Sequence, residues 1–146
     1  MSTSVFEPVR ELLEQTFKSG WVTGPSERTP IKWDNAPFAQ PPNAAWVSFN
    51  VRWGTGQQVS IGPATRRLER HVGVIIIQVF TPKNGGPKVM DDHCDFAANL
   101  MRMQTIVDTV AGIEIEIRSP TRSFAGEEKE LRQDNLSIEF QVDSFF

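Results

Sequence analysis

Cysteine is almost missing: Cys94 is the only one in 146 residues. A single thiol excludes an internal disulfide framework and suits a protein folded in a reducing cytoplasm. A basic surplus is missing too. Lys plus Arg total 15 against 18 Asp plus Glu, a formal net charge of −3. Nucleic-acid binding rests on clustered Lys and Arg, so specific nucleic-acid recognition is not expected. The strongest apolar run, near Val74–Val79, falls short of the roughly 18 residues that cross a bilayer, so no membrane span is expected. Met1–Glu7 brings neither a basic start nor an apolar stretch. No signal peptide is expected, and the chain reads as one made and used inside a cell. Internal repeats and low-complexity tracts are lacking as well.

What is present suffices for one core. Apolar residues make up 39% of the chain, and the length fits a single domain over residues 1–146. Residues 4–18 carry a helical stripe of Val5, Val9, Leu12, Leu13 and Phe17. Ser4 and Glu7 have capping-box spacing, while Pro8 pulls the start toward residue 7 and Gly20 supplies an end. Prolines at 25, 30, 37, 41 and 42 then forbid a long helix but leave room for a short strand, Ile31–Trp33. Ala45, Val47, Phe49, Val51 and Trp53 alternate with polar neighbours as a half-buried strand. Gly54-Thr55-Gly56 reads as a turn, with Gln57–Ile61 returning and Gly62-Pro63 turning again.

Arg66–Thr81 reads as the longest strand, polar at first and apolar on both faces over Val74–Phe80. A Gly-containing loop leads to a second helix over 87–105. Its stripe is Val89, Met90, His93, Phe96, Ala97, Leu100 and Met101, and Asp91 and Asp92 suit its N-terminal end. Ile113, Ile115 and Ile117 alternate with Glu114 and Glu116; Ser119–Glu130 reads as a polar loop. In the last strand Leu136, Ile138, Phe140 and Val142 face one way, with Ser137, Glu139, Gln141 and Asp143 facing the other. The expected fold class is α+β: a single mixed, mostly antiparallel twisted sheet with two helices packed on one face. Its other face is left to solvent or another subunit.

Catalytic signals are few. His93-Cys94 with Asp91, Asp92 and Asp95 is the one cluster resembling metal ligands. On a helix only residues three or four apart share a face, and those around His93 are Val89, Met90, Phe96 and Ala97. His93 is therefore expected in the core, Cys94 as a small semi-buried side chain, and no metal. His71 lies beside Glu69 and Arg70 on the exposed part of the long strand, with no local nucleophile to serve. Gly54-x-Gly56 lacks the third glycine and the helix of a dinucleotide loop. No catalytic residue, cofactor or metal site is assigned.

Some residues suit subunit contact instead. Arg66, Arg67 and Arg70 form the densest basic group, either a solvated strand end or a contact to the acidic Glu127, Glu128 and Glu130 of an adjacent copy. All four tryptophans fall between residues 21 and 53. Trp53 shares its face with core residues. Trp46 lies on the opposite face, either under a loop or as an interface anchor. The final Phe145-Phe146 pair either tucks under the sheet or docks on a neighbour.

Pro30-Ile31-Lys32-Trp33-Asp34-Asn35-Ala36-Pro37-Phe38, then Pro41-Pro42 and the strand from Trp46, precede Arg70-His71-Val72-Gly73-Val74-Ile75-Ile76-Ile77-Gln78-Val79-Phe80. A Gly-rich turn and an amphipathic helix follow. This order, across nearly the whole chain, resembles the tail terminator family of lambda-like long-tailed phages and the related phage domain of unknown function. The resemblance implies a virion structural protein without catalysis. It would form a homo-oligomeric ring, commonly a hexamer, at the head-proximal end of the tail tube. There it would stop tube polymerisation and offer a joining surface to the head connector, with the tail-tube protein as its other partner. A ring needs two different complementary patches per copy, and Gly54–Arg70 and Ser119–Glu130 are the segments expected to supply them. Another small phage neck or tail-completion protein is the alternative, and a ligand-binding α+β domain or enzyme a further one, which would need a pocket of converging polar groups.

Overall fold

Alternation along the strands decides which side chains meet the helices. In the computed structural model the described residues are 5–23, 29–41, 44–58, 68–83, 85–128 and 131–145. The elements are α1 (Phe6–Thr23), β1 (Ile31–Trp33), β2 (Trp46–Gln58), β3 (Leu68–Pro82), α2 (Pro87–Met101), β4 (Thr105–Asp108), β5 (Ile113–Glu128) and β6 (Leu131–Phe145). They build one six-stranded sheet in the order β1-β2-β3-β6-β5-β4. The β1–β2 pair is parallel and every other pair antiparallel.

Val47, Phe49 and Val51 of β2 stand beside Val79, Ile77 and Ile75 of β3. Ile75 and Ile77 stand beside Ile138 and Leu136 of β6, and Ile115 of β5 beside Val142. All are buried, and with α1 and α2 they form one core. Both helices therefore cover the same face, and the mixed α+β plan expected from the pattern is the fold. On α1, Val9, Leu13, Phe17 and Trp21 are buried. Phe17 stacks on Phe49 at 4.9 Å and on Trp21 at 5.1 Å between ring centroids. Each fully buried aromatic of this stack contributes roughly 1.5–3 kcal/mol by leaving water. Trp21 also donates its Nε1–H to the Thr29 carbonyl at 3.0 Å, satisfying its one polar atom and fixing the approach to β1.

The structure differs from the sequence expectation in several places. α1 runs through Gly20 to Thr23, because burying Trp21 outweighs the weak helix preference of a glycine. The capping residue suggested at Ser4 lies outside the described residues. Gly54–Gly56 does not turn the chain; β2 absorbs it as an irregularity between Trp53 and Gly56 and continues to Gln58. The expected return strand over Gln57–Ile61 falls mostly outside the described residues. α2 ends at Met101 rather than at 105, and Thr105–Asp108 forms a strand that the sequence reading did not assign. The buried face of α2 is Met90, Cys94, Ala97, Ala98 and Met101, so Cys94 lies in the core and Val89 is 41% exposed. Ser119–Glu128 is no loop but the second half of β5, paired with β6 as far as Leu131.

Gly73 sits at a close approach of β2 and β6 to β3. A Cβ there would lie 2.6 Å from the Phe140 ring and 2.7 Å from the Arg52 carbonyl oxygen. The carbonyl belongs to the neighbouring strand and cannot step aside. Gly73→Ala should cost about 1–3 kcal/mol, the range of overpacked interiors, and lower the chemical-denaturation midpoint. An unchanged midpoint would mean that the Phe140 ring and the β2 backbone yield at no cost.

Candidate assembly surfaces

The polar second half of β5 is held as a strand by a charge cluster beneath α2. Arg122 and Leu136 are register partners, as are Phe124 and Asp134, so these side chains face the helices. Arg122 donates Nε–H to Asp134 Oδ2 at 2.8 Å, and its Nη1 lies 2.8 Å from Asp91 Oδ1 on α2. Asp134 is only 3% exposed, and this partner offsets the cost of burying its carboxyl group. Burial alone would lower the pKa of Arg122, but hydrogen bonds to Asp134 and Asp91 outweigh it and hold the guanidinium above its ordinary range. The second oxygen of Asp134 faces Arg132 Nε at 3.7 Å, too far for a hydrogen bond. Cys94 lies nearby, and burial is the main cause pushing its thiol up to about 11. Such a thiol is a packing group at neutral pH, not a nucleophile.

Among the described residues no helix lies on the other face of the sheet. At one end Trp46 stacks on Phe80 at 3.9 Å, and Phe38 of the preceding segment lies 5.1 Å away. Trp46 is thus 8% exposed, covered by its own chain, and its Nε1 has no partner among the described residues. Ser48 donates to Gln78 Oε1 at 2.7 Å, and Arg52 reaches Asp34 at 2.8 Å. A shallow open depression of about 800 Å³ follows, among them Arg52, Val74, Arg118, Ser137 and Glu139. Among the described residues no group of three or more His, Cys, Asp or Glu could hold a metal.

Among the described residues, the nominated contacts Arg70 and Glu127 do not meet within one copy. Arg70 stands near the start of β3 and binds Asp143 of its own chain in a fork, Nε to Oδ1 at 2.8 Å and Nη2 to Oδ2 at 3.1 Å. Glu127 stands at the opposite end of the sheet, 3.9 Å from Lys83. Arg66, Arg67 and Glu130 lie outside the described residues, as does the side chain of Glu128. The Asp143 partner of Arg70 is 73 positions away and had no local signal. His71 is more covered than expected: its side chain is 14% exposed, bound to Glu69 and 5.1 Å from the Phe6 ring. His93 packs 5.9 Å from the Trp21 ring, between the helices.

The sheet margins are the feature that the sequence did not reveal. β1 covers β2 only opposite Val47–Phe49, and β4 covers β5 only opposite Ile113–Glu116. Met103 and Gln104 extend that cover to Arg118. Among the described residues nothing pairs with the outer edges of Asn50–Gln58 or Ser119–Glu128.

A family model for phage tail terminator proteins matches residues 8–135. The chain belongs to the phage tail terminator family. Its members are structural proteins of phage tails, and the chain is a component of that kind, working among other proteins of the virion. No curated protein matches it. One solved structure, labelled with a sequence identifier alone, superposes with a TM-score of 0.67 at 14% identity, over 91% of this chain and 94% of that one. At that identity the match supports the fold and carries no function.

Two predictions rest on the side chains under α2. Asp134→Ala strands Arg122 with Asp91 alone and should cost about 2–3 kcal/mol in urea unfolding, the range for a broken buried charged bond; a loss below half of that would show the cluster to be dispensable. His93 has a pKa lowered from 6.5, chiefly by burial. The unfolded chain then takes up this proton first as pH falls, so the contribution of neutral His93 is complete above pH 6.5 and lost below it. The melting temperature should fall between pH 7 and pH 5, and less steeply in His93→Gln. Equal slopes for the two proteins would remove His93 as the cause.

Proposed function

We propose that this tail component forms a homo-oligomeric ring, of six copies as in related terminators, at the head-proximal end of the tail tube. The ring stops addition of tube subunits and presents its far side to the head connector. The chain acts as one unit over residues 1–146, is assembled in the host cytoplasm and needs no catalytic group or cofactor. The family match over residues 8–135 carries this reading.

The physical argument is that a ring requires a heterologous interface, one patch meeting a different patch on the next copy. Of the segments Gly54–Arg70 and Ser119–Glu130, the described parts at Gly54–Gln58 of β2 and Ser119–Glu128 of β5 lie toward opposite margins of the sheet, and the two segments differ in charge, which supports their use as those patches. Arg66, Arg67, Arg70, Glu127, Glu128 and Glu130 are the proposed contact residues; Trp46, nominated with them from the sequence, is covered instead by Phe38 and Phe80 of its own chain. Specific nucleic-acid and membrane binding form no part of this role.

The test is both physical and genetic. Purified protein, alone and with the tail-tube protein of the same phage, should show rings by negative-stain electron microscopy. Phage lacking the gene should yield over-long or headless tails. Normal tails of normal length in that mutant would end the assignment.

A further inference from the structure

We infer that neighbouring copies join edge to edge, the outer edge of β5 at Ser119–Glu128 pairing antiparallel with the outer edge of β2 at Asn50–Gln58 of the next copy. This rests on the ring reading and specifies its interface. The first support is the diagonal placement of the covers. β1 caps β2 at the end of the sheet where β2 begins, and β4 caps β5 at the opposite end. Two copies side by side cannot pair squarely, because a capping strand stands in the way on each side. Shifted along the strands, the open half of one margin meets the open half of the other, and both caps clear. The open stretches are of nearly equal length.

The second support is strand direction. β2 and β6 run one way across the sheet, and β5 runs the other. Copies in the same orientation thus bring β5 beside β2 in antiparallel sense, the more stable pairing per residue. The third support is an independent feature of the surface. Phe6 and Phe124, 51% and 61% exposed, are the only exposed aromatic side chains among the described residues. Both lie on the helix-bearing face, one at each open margin. Phe6 sits over Trp53 at 4.8 Å between centroids, and Phe124 projects from β5 as register partner of Asp134. A register that keeps the helix face continuous places Phe124 opposite Val51 or Trp53, within reach of Phe6. It also places Ser123 opposite or diagonal to Arg52 on the other face. Each margin alone leaves an aromatic ring and a row of backbone groups in water, and the joint removes both.

The stagger has a geometric meaning. A sheet continued around a closed ring with a fixed shift per copy must have strands tilted from the ring axis. The covers set that shift, so the sheet itself limits which neighbour fits.

The experiment uses the single buried native cysteine as a silent background. Full-length Arg52→Cys and Ser123→Cys proteins, mixed alone and with tail-tube protein, are treated with a thiol cross-linker of about 8 Å span, the reach of diagonal cross-strand neighbours. The mixture should give a heterodimer, whereas Glu114→Cys mixed with Arg52→Cys should not, because β4 covers that stretch of β5. Phe124→Lys should weaken assembly about tenfold or more while moving the melting temperature of the single copy little, since the ring is 61% exposed and gives up there only its contact with the Arg132 guanidinium. Rings that form without this cross-link, or that persist in Phe124→Lys, overturn the edge joint and leave the ring reading standing. Wild-type protein that forms no ring even with tail-tube protein overturns both.

Discussion

Every strand carries backbone donors and acceptors along two edges, and a buried strand must find a partner for both. β3 and β6 meet that obligation along most of their length, β3 between β2 and β6, and β6 between β3 and β5. The pair forms the spine of the molecule. Its alternating side chains supply the apolar floor on which both helices rest, and its reverse side, apolar along β3 and polar along β6, is covered at one end by Trp46 and Phe38. The obligation passes outward from strand to strand until β2 and β5 discharge it only in part. The margins are where the fold stops meeting its own requirement.

What surrounds that spine is a balance between apolar burial and a few placed charges. The β1–β2 side is held by rings: Trp21, Phe17, Phe49 and Trp33 pack in sequence from α1 to the sheet edge. The β5 side has few large apolar groups beyond Ile117, and there Arg122 links Asp134 of β6 to Asp91 of α2. A charged link demands direction where an apolar contact does not. It fixes the angle at which the β5–β6 hairpin leaves the core. The two sides of one sheet are thus anchored by different physics.

Elements with a repeating apolar period were legible in the sequence. The stripe of α1, the alternation of Ile113–Ile117 and Leu136–Val142, and the short Ile31–Trp33 strand all stand where the pattern put them. Ser119–Glu128 was not legible, because its strand state comes from pairing with β6 and from Arg122, neither of which leaves a local signature. Its serines, Pro120 and Gly126 carry loop chemistry, and the last sits at a bulge with φ +130°. Thr105–Asp108 is only four residues long and half-exposed, too short for its alternation to stand out. Of the nominated contact residues, Trp46 has its shared cover in Phe38 and Phe80, and Arg70 its carboxylate in Asp143; Phe80 and Asp143 are distant in sequence. Phe6 and Phe124 drew no notice because one falls off the helical stripe and the other stands alone among polar residues.

The distribution of indole rings has a practical consequence. Trp21, Trp33, Trp46 and Trp53 all belong to α1, β1 and β2, and the chain contains no tyrosine. Emission excited at the red edge of protein absorbance therefore reports on one flank of the molecule. The β4–β5 flank is dark to that light. Events confined to it, such as fraying of the hairpin beyond Ser119, would pass without an optical trace and would be seen only by amide exchange or a reporter placed there.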